Sequence, residues 1–190
     1  MKKILIIIGA VVLFAGLSLA TFYNNLVTQN QAIENQWAQV ETQYQRRFDL
    51  IPNLVKSVEG IMSQEQAVFG QIAEARTRYS GAATVEEKAK AATQVESALG
   101  RLLVVMENYP ELRSAENVSQ LMDELAGTEN RVAVERRRYN DLVRDYNTTI
   151  KKFPANLIAG TFGFNERSYF EAVEGAEQAP EVNIQPEKPE

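Results

Sequence analysis

The side chains of this chain that could do chemistry are carboxylates and arginines, because the sequence contains no histidine and no cysteine. That absence removes the commonest general base and metal ligand, and it excludes disulfides and thiolate metal sites. Adjacent acids such as Glu86 and Glu87 point in different directions on a helix, and Glu107 and Glu111 flank a proline. We therefore predict no catalytic residue, no metal site and no cofactor. An enzyme that works through carboxylates alone is the third-ranked alternative.

Arg47 is the arginine whose position is unusual. It falls on a stripe of apolar residues, between Tyr44 and Ile51, where a buried guanidinium needs a partner. Glu129 or Glu135, near the stripe of a later helix, could supply it. We interpret Arg47 as one half of an internal salt bridge that fixes helix register.

The densest basic cluster is Arg136-Arg137-Arg138. Consecutive helical residues face different directions, which favours a solvated, salt-bridged patch over a track of phosphate contacts. Acidic residues also outnumber basic ones by 25 to 20. Nucleic acid is therefore not an expected partner.

These side chains must be positioned relative to a strongly apolar N-terminus. Residues 4–23 supply a span close to the roughly 20 residues that cross a bilayer as a helix. Lys2 and Lys3 precede it, and no lysine or arginine follows until Arg46, so the positive-inside bias places the N-terminus in the cytoplasm. We predict a single-pass anchor (1–23) in the inner (cytoplasmic) membrane with an extracytoplasmic body.

A cleaved signal peptide is the rival interpretation of this segment. Ser18-Leu19-Ala20 provides the small residues that signal peptidase accepts. The apolar run, however, is longer than the usual signal-peptide core of about 7–15 residues. Length favours the anchor.

The rest of the chain reads as helix, and no segment alternates as a strand does. Heptad-like spacing marks one apolar stripe, made of Leu26, Ile33, Trp37, Val40, Tyr44, Ile51, Leu54, Val58, Ile61, Val68, Ile72 and Tyr79. Gly81 ends the segment, and Thr84 with Glu87 predicts a capping box for the next helix. Pro110 and Pro154 interrupt or end later helices.

Pro52 decides how these helices connect. In the first turn of a new helix proline is tolerated, and the chain then reverses near residues 48–49. Helices of roughly 24–48, 50–80, 84–108 and 113–153 would form an elongated antiparallel up-and-down bundle of the four-helix type. The alternative is one long helix kinked at Pro52. We expect the all-α bundle with the reversal.

The C-terminal part divides into three. Leu157, Ile158, Phe162 and Phe164 form either a hydrophobic lid on the bundle or an anchor at the membrane interface, and both interpretations stay open. A short helix is predicted over 166–174, which closes the body (24–175). Residues 176–190 are rich in Pro and Glu, and we predict a disordered tail.

Several motifs resemble the LemA family, in order and over nearly the whole chain. After the membrane helix they are WAQVE at 37–41, RRFDLIPNLV at 46–55, ENYPEL at 107–112, TENRVA at 128–133, RYND at 138–141 and FP at 153–154. The resemblance implies a bacterial membrane protein with an antiparallel helical bundle. It implies no catalytic residues. It adds an expectation that the protein acts beside other envelope proteins, membrane metalloproteases among them.

The predicted function is a membrane-anchored, non-enzymatic interaction or scaffold protein of the cell envelope. The alternatives are an accessory factor to a membrane protease and a self-associating coiled-coil structural protein. Self-association is expected if a kinked rod leaves the stripe between Leu26 and Val58 exposed.

Overall fold

The computed structural model of the chain describes residues 2–113 and 115–170, without the side chains of Arg113 and Ile158. Most of these residues are helical, and no strand occurs among them. The helices are α1 (Lys2–Glu59), α2 (Gln66–Gly81), α3 (Val85–Met106), α4 (Pro110–Arg113), α5 (Glu116–Lys151) and α6 (Ala155–Ile158), followed by a 3-10 turn at Gly160–Phe162.

α1 continues through Pro52, so the predicted reversal near residues 48–49 is wrong. A proline inside a helix costs about 3 kcal/mol. Continuing the helix buries Leu54 and Val58 completely, and each such burial contributes about 1.5–3 kcal/mol. Packing therefore outweighs the lost hydrogen bond, and the turn falls at residues 60–65 instead.

Two helix pairs carry most of the contacts, α1 with α5 and α2 with α3. In the first, Gln36 meets Glu135 and Arg47 meets Glu129, so residue numbers fall along α5 as they rise along α1. The second pair runs the same way. Arg78 donates to Gln94, and Arg101 donates to Gln71, which lies earlier in α2. Both pairs are antiparallel at these contacts.

The predicted stripe of α1 is buried inside the chain. The residues that carry it from Leu26 to Val58 are covered, with Trp37 only partly so, and α5 supplies much of the cover. The exposed seam that favoured self-association is therefore not present over this stretch. Ile61, predicted on the same stripe, is exposed in the turn after α1.

The helix ends follow the local signals closely. α2 ends at Gly81, and α3 begins with a complete capping box. Glu87 N–H donates to Thr84 Oγ1, and Thr84 N–H donates to the Glu87 carboxylate. Residues 166–170 are not helical, which corrects the part of the predicted 166–174 helix that lies in the described region. The predicted tail (176–190) lies outside the described residues.

Candidate functional site

Arg47 occupies a buried position between α1 and α5, as predicted. Its side chain is almost fully covered, and Nη2 lies 3.5 Å from Glu129 Oε2 on the largely exposed Glu129 side chain. Arg47 Nε and Nη1 are buried without a hydrogen-bond partner among the described residues. Glu135, the other predicted partner, instead accepts from Gln36 at 2.6 Å. The pair with Glu129 fits a register-fixing salt bridge.

The arginine cluster is divided among different environments. Arg136 Nη1 lies 3.6 Å from Glu96, and its guanidinium stacks over Phe170 at 4.3 Å. Arg138 pairs with Glu135 one turn earlier at 2.9 Å, and Arg137 is exposed. The three side chains therefore do not form one cationic track.

The carboxylates support the helices and do not converge. Glu86 pairs with Lys90 on the surface, while hydrogen bonds from the backbone N–H groups of Thr84 and Ala83 lower the pKa of the Glu87 carboxyl. Within residues 2–113 and 115–170, no group of three or more acidic side chains is placed to hold a metal ion. These carboxylates act as caps and ion-pair partners.

An aromatic layer crosses the middle of the body. Its members come from α1, α2, α5 and the C-terminal segment, and they are Trp37, Tyr44, Phe48, Tyr79, Tyr139 and Phe170. Ring centroids lie 4.7 Å apart for Phe48 and Tyr79 and 5.3 Å apart for Tyr44 and Tyr79. Such offset and edge-to-face pairs each add about 0.5–1.5 kcal/mol beyond area burial.

The tyrosines in this layer are held neutral. Burial, followed by the neighbouring Glu96 carboxylate, raises the pKa of Tyr44, whose hydroxyl donates to Glu96 at 3.3 Å. Burial and the nearby Glu41 also raise the pKa of Tyr79. A phenol with a raised pKa is a poor nucleophile and a poor base near neutral pH. The layer is equipped to hold helices together.

Two asparagines of α5 bind the C-terminal segment (residues 164–170) along the helix. The Asn140 amide donates to the Phe170 carbonyl at 3.0 Å and accepts from its N–H at 2.8 Å. Asn147 makes the same two bonds with Arg167, both at 2.9 Å. Nothing in the sequence indicates either asparagine's role, since side-chain amides that bond to an irregular backbone leave no periodic signal.

Arg167 then ties this segment to α1. Its guanidinium donates to Asn30 Oδ1 at 2.9 and 2.7 Å and to Glu34 Oε1 at 2.5 Å. Phe170, at the end of the segment, enters the aromatic layer beside Trp37. The C-terminal segment therefore fastens α5 to the half of α1 nearer the apolar span.

The predicted lid residues lie beside the end of that span. The Phe162 and Phe164 rings pack edge-on against Tyr23, with centroids 5.4 and 5.6 Å away. Phe164 packs against the core, whereas Phe162 and Leu157 are largely exposed. The structure leaves the fourth predicted residue, Ile158, without a described side chain.

A shallow groove lies at the other end of the body. It has apolar walls from the end of α3, α4 and the start of α5, provided by Leu103, Met106, Leu112, Val118 and Met122. Val104 beside it is 64% exposed. α1 continues from Tyr23 to Glu59 at a rise of 1.5 Å per residue, so this end of the body lies about 50 Å from Tyr23. The two ends are thus well separated surfaces.

The N-terminal part of α1 is long and apolar enough to cross a membrane, and none of that stretch is buried against the rest of the chain. Length and composition alone support this, and a signal sequence meets the same criteria.

Comparison with known proteins finds one family and several relatives. The model of the LemA family matches residues 36–184. Magnetosome protein MamQ 2 of Paramagnetospirillum magneticum is 28% identical over 78% of this chain and 64% of its own length. MamQ of Magnetospirillum gryphiswaldense is 27% identical over the same shares. Protein LemA of Metamycoplasma hominis is 24% identical over 86% of this chain and 78% of its own. The chain thus spans less than two thirds of the MamQ relatives.

Proposed function

The chain belongs to the LemA family, and we propose that it is a membrane-anchored, non-enzymatic interaction module of the bacterial cell envelope. Membership of the LemA family and the similarity to the MamQ and LemA proteins support membrane association. The observation that carries the proposal is the continuity of α1, which runs from an unburied apolar span directly into the packed body. A rigid helix transmits the position of the anchor to every surface of that body.

The proposed topology has the N-terminus in the cytoplasm and the body outside the inner membrane. Lys2 and Lys3 on one side of the span, with no cation on the other before Arg46, support this orientation. In this arrangement α1 rises from the membrane and α5 returns toward it.

We propose that the body is an elongated antiparallel up-and-down bundle of α1, α2, α3 and α5. The antiparallel contacts within the pairs α1–α5 and α2–α3 support it. Links between the pairs support it too, through the ion pair of Glu41 with Lys88 and the ring contact of Tyr44 with Tyr79. Such a bundle presents long polar faces and two ends.

The absence of histidine and cysteine from the sequence and the neutral tyrosines of the aromatic layer support a non-enzymatic role. The distal groove around Leu103 is the surface we assign to an envelope partner, because Leu103 and Val104 expose apolar side chains at this end of the body, where another protein can reach them. A membrane protease with this chain as accessory factor is one such partner.

Photo-crosslinking in intact cells tests the assignment. A photoreactive amino acid placed at Val104 should capture the same partner reproducibly, as identified by mass spectrometry. Val134 on α5 is the matched control, since it is also an exposed apolar residue but lies on the side of the body. Capture of the chain by itself would support the self-association alternative. No reproducible product from Val104 would contradict a docking role for the distal end.

A further inference from the structure

The loop that follows α5, residues 153–164, exposes apolar side chains at unusual density. Phe153 is 80% exposed, Leu157 66% and Phe162 51%. Residues 153–165 contain no charged side chain. Exposed apolar groups this close together mark a contact surface more often than a solvated one.

The loop is held rigidly enough to act as such a surface. Ala155 and Ala159 are buried, and Phe164 N–H donates to the Ala159 carbonyl at 2.9 Å. Beyond the loop, Asn147 binds both backbone groups of Arg167. The exposed side chains therefore belong to a loop whose backbone is held in place, and the loop is not a frayed helix end.

The position of the loop identifies what it contacts. Tyr23, which ends the apolar stretch of α1, packs against both Phe162 and Phe164. Aromatic residues at the end of a membrane span lie at the level of the lipid headgroups. Phe162 therefore lies at the same level, next to the surface through which α1 leaves the bilayer.

The charged residues beside the loop are also of the kind found near lipid headgroups. Lys151 and Lys152 immediately precede it, with the Lys152 side chain exposed and Lys151 paired with Glu166 at 2.8 Å. Basic residues flanking an exposed apolar and aromatic group are the pattern of interfacial segments, because they are attracted to anionic headgroups.

We propose that residues 153–162 insert Phe153, Leu157 and Phe162 into the headgroup region of the bilayer as a second membrane contact. One helix alone lets the body tilt and rotate about its anchor. A second contact on the returning helix fixes which face of the body points along the membrane. The inference rests on the proposed anchoring of α1.

Tryptophan quenching tests it with the full-length chain in vesicles. Trp37→Phe removes the single native tryptophan, and Phe162→Trp then reports on the loop. Phe14→Trp in the span and Val104→Trp at the distal end are the reference probes, since all three positions are exposed. Brominated lipids carry the quencher either near the headgroup or near the bilayer centre.

The probe at residue 14 should be quenched most by central bromines, the probe at 162 most by bromines near the headgroup, and the probe at 104 by neither. A residue 162 that behaves as residue 104, while residue 14 is quenched, overturns the loop contact and leaves the anchor standing. Failure of quenching at residue 14 overturns the anchoring itself and the inference with it.

Cysteine labelling gives a second measurement that avoids added aromatic groups. The chain contains no cysteine, so Leu157→Cys and Val104→Cys each carry a single thiol. In vesicles, a membrane-impermeant maleimide should label residue 157 about tenfold more slowly than residue 104, because an apolar environment that raises the thiol pKa by about one unit lowers the reactive thiolate fraction about tenfold. Equal rates in folded protein would refute the inserted loop.

Discussion

The loop after α5 (residues 153–164) and the distal end of the body, around Leu103, both expose large apolar side chains, yet their surroundings differ. No charged residue lies between 153 and 165 in the loop, and two lysines precede it. At the distal end, Glu107 lines the groove, and Glu59 and Glu116 are exposed at the end of α1 and the start of α5. An acidic border is repelled by an anionic lipid surface and tolerates a protein partner. Exposed apolar area alone does not identify the partner, whereas the charge around it discriminates.

The largest effect is expected when charged residues are placed in the apolar span or at the distal end and membrane association is compared. Arginine at both Val12 and Leu13, near the middle of the span, should cost about 5–7 kcal/mol of insertion free energy and abolish membrane association. Arginine at both Leu103 and Val104 should leave association unchanged. Alkaline extraction of membranes followed by immunoblotting measures both. Equal behaviour of the two variants would remove the distinction between the ends.

The next largest effect concerns how the loop is held. Asn147→Ala should destabilise the fold by about 1–3 kcal/mol, because it leaves the partly buried backbone N–H and C=O of Arg167 without these partners. Hydrogen exchange should speed up in residues 163–170 and stay unchanged at the distal groove. Asn130→Ala, at an exposed position of the same helix, is the control and should change the melting temperature little. Uniform loss of protection at both ends would mean that the ends are not independently held.

The aromatic layer between the ends should respond to alkaline pH. Because the pKa of Tyr44 and of Tyr79 is raised in the folded chain, their neutral forms contribute stability that is complete below the unfolded value near 10. Above that pH each should cost about 1.4 kcal/mol of stability per pH unit.

Urea titrations at pH 9 to 11 should therefore show falling stability for the native chain. Tyr44→Phe should flatten the dependence. If both proteins lose stability equally, the ionisation of Tyr44 does not account for the loss.

The smallest effect is expected at Arg47. Methionine is apolar and flexible and needs no hydrogen bond, so Arg47→Met should change the free energy of unfolding by less than about 1 kcal/mol or increase it. Glu129→Gln should cost more, since it leaves the buried guanidinium without its countercharge. Thermal melting of both variants measures this. Unchanged melting of Arg47→Met with loss of crosslinking at Val104 would instead assign Arg47 to partner binding.

Much of the fold was predictable because its signals are local. The stripe from Leu26 to Val58, the Thr84 capping box and the end of α2 at Gly81 are each set by a few neighbouring residues. The pairing of Arg47 with Glu129 was predicted as one of two options, since a buried cation on a stripe requires an acid opposite. The sequence predicted no strand, and none occurs among the described residues.

What remained unpredicted depends on contacts between distant segments. Pro52 is compatible with a helix start or a helix interior, and the burial of Leu54 and Val58 against other helices decided for the interior. The sequence predicted a helix from residue 166 onward, whereas residues 166–170 are not helical. The course of this segment follows from the amides of Asn140 and Asn147, which lie about 20 to 30 residues earlier.

The sequence by itself determined that this chain is helical, carries an apolar N-terminal span and belongs to the LemA family, because periodicity, hydropathy and motifs are written in consecutive residues. Only the tertiary structure decided that α1 continues unbroken to Glu59 and that Phe162 lies against Tyr23. Those outcomes depend on which surfaces meet between segments that are distant in the chain, and side-chain burial there outweighs local preference.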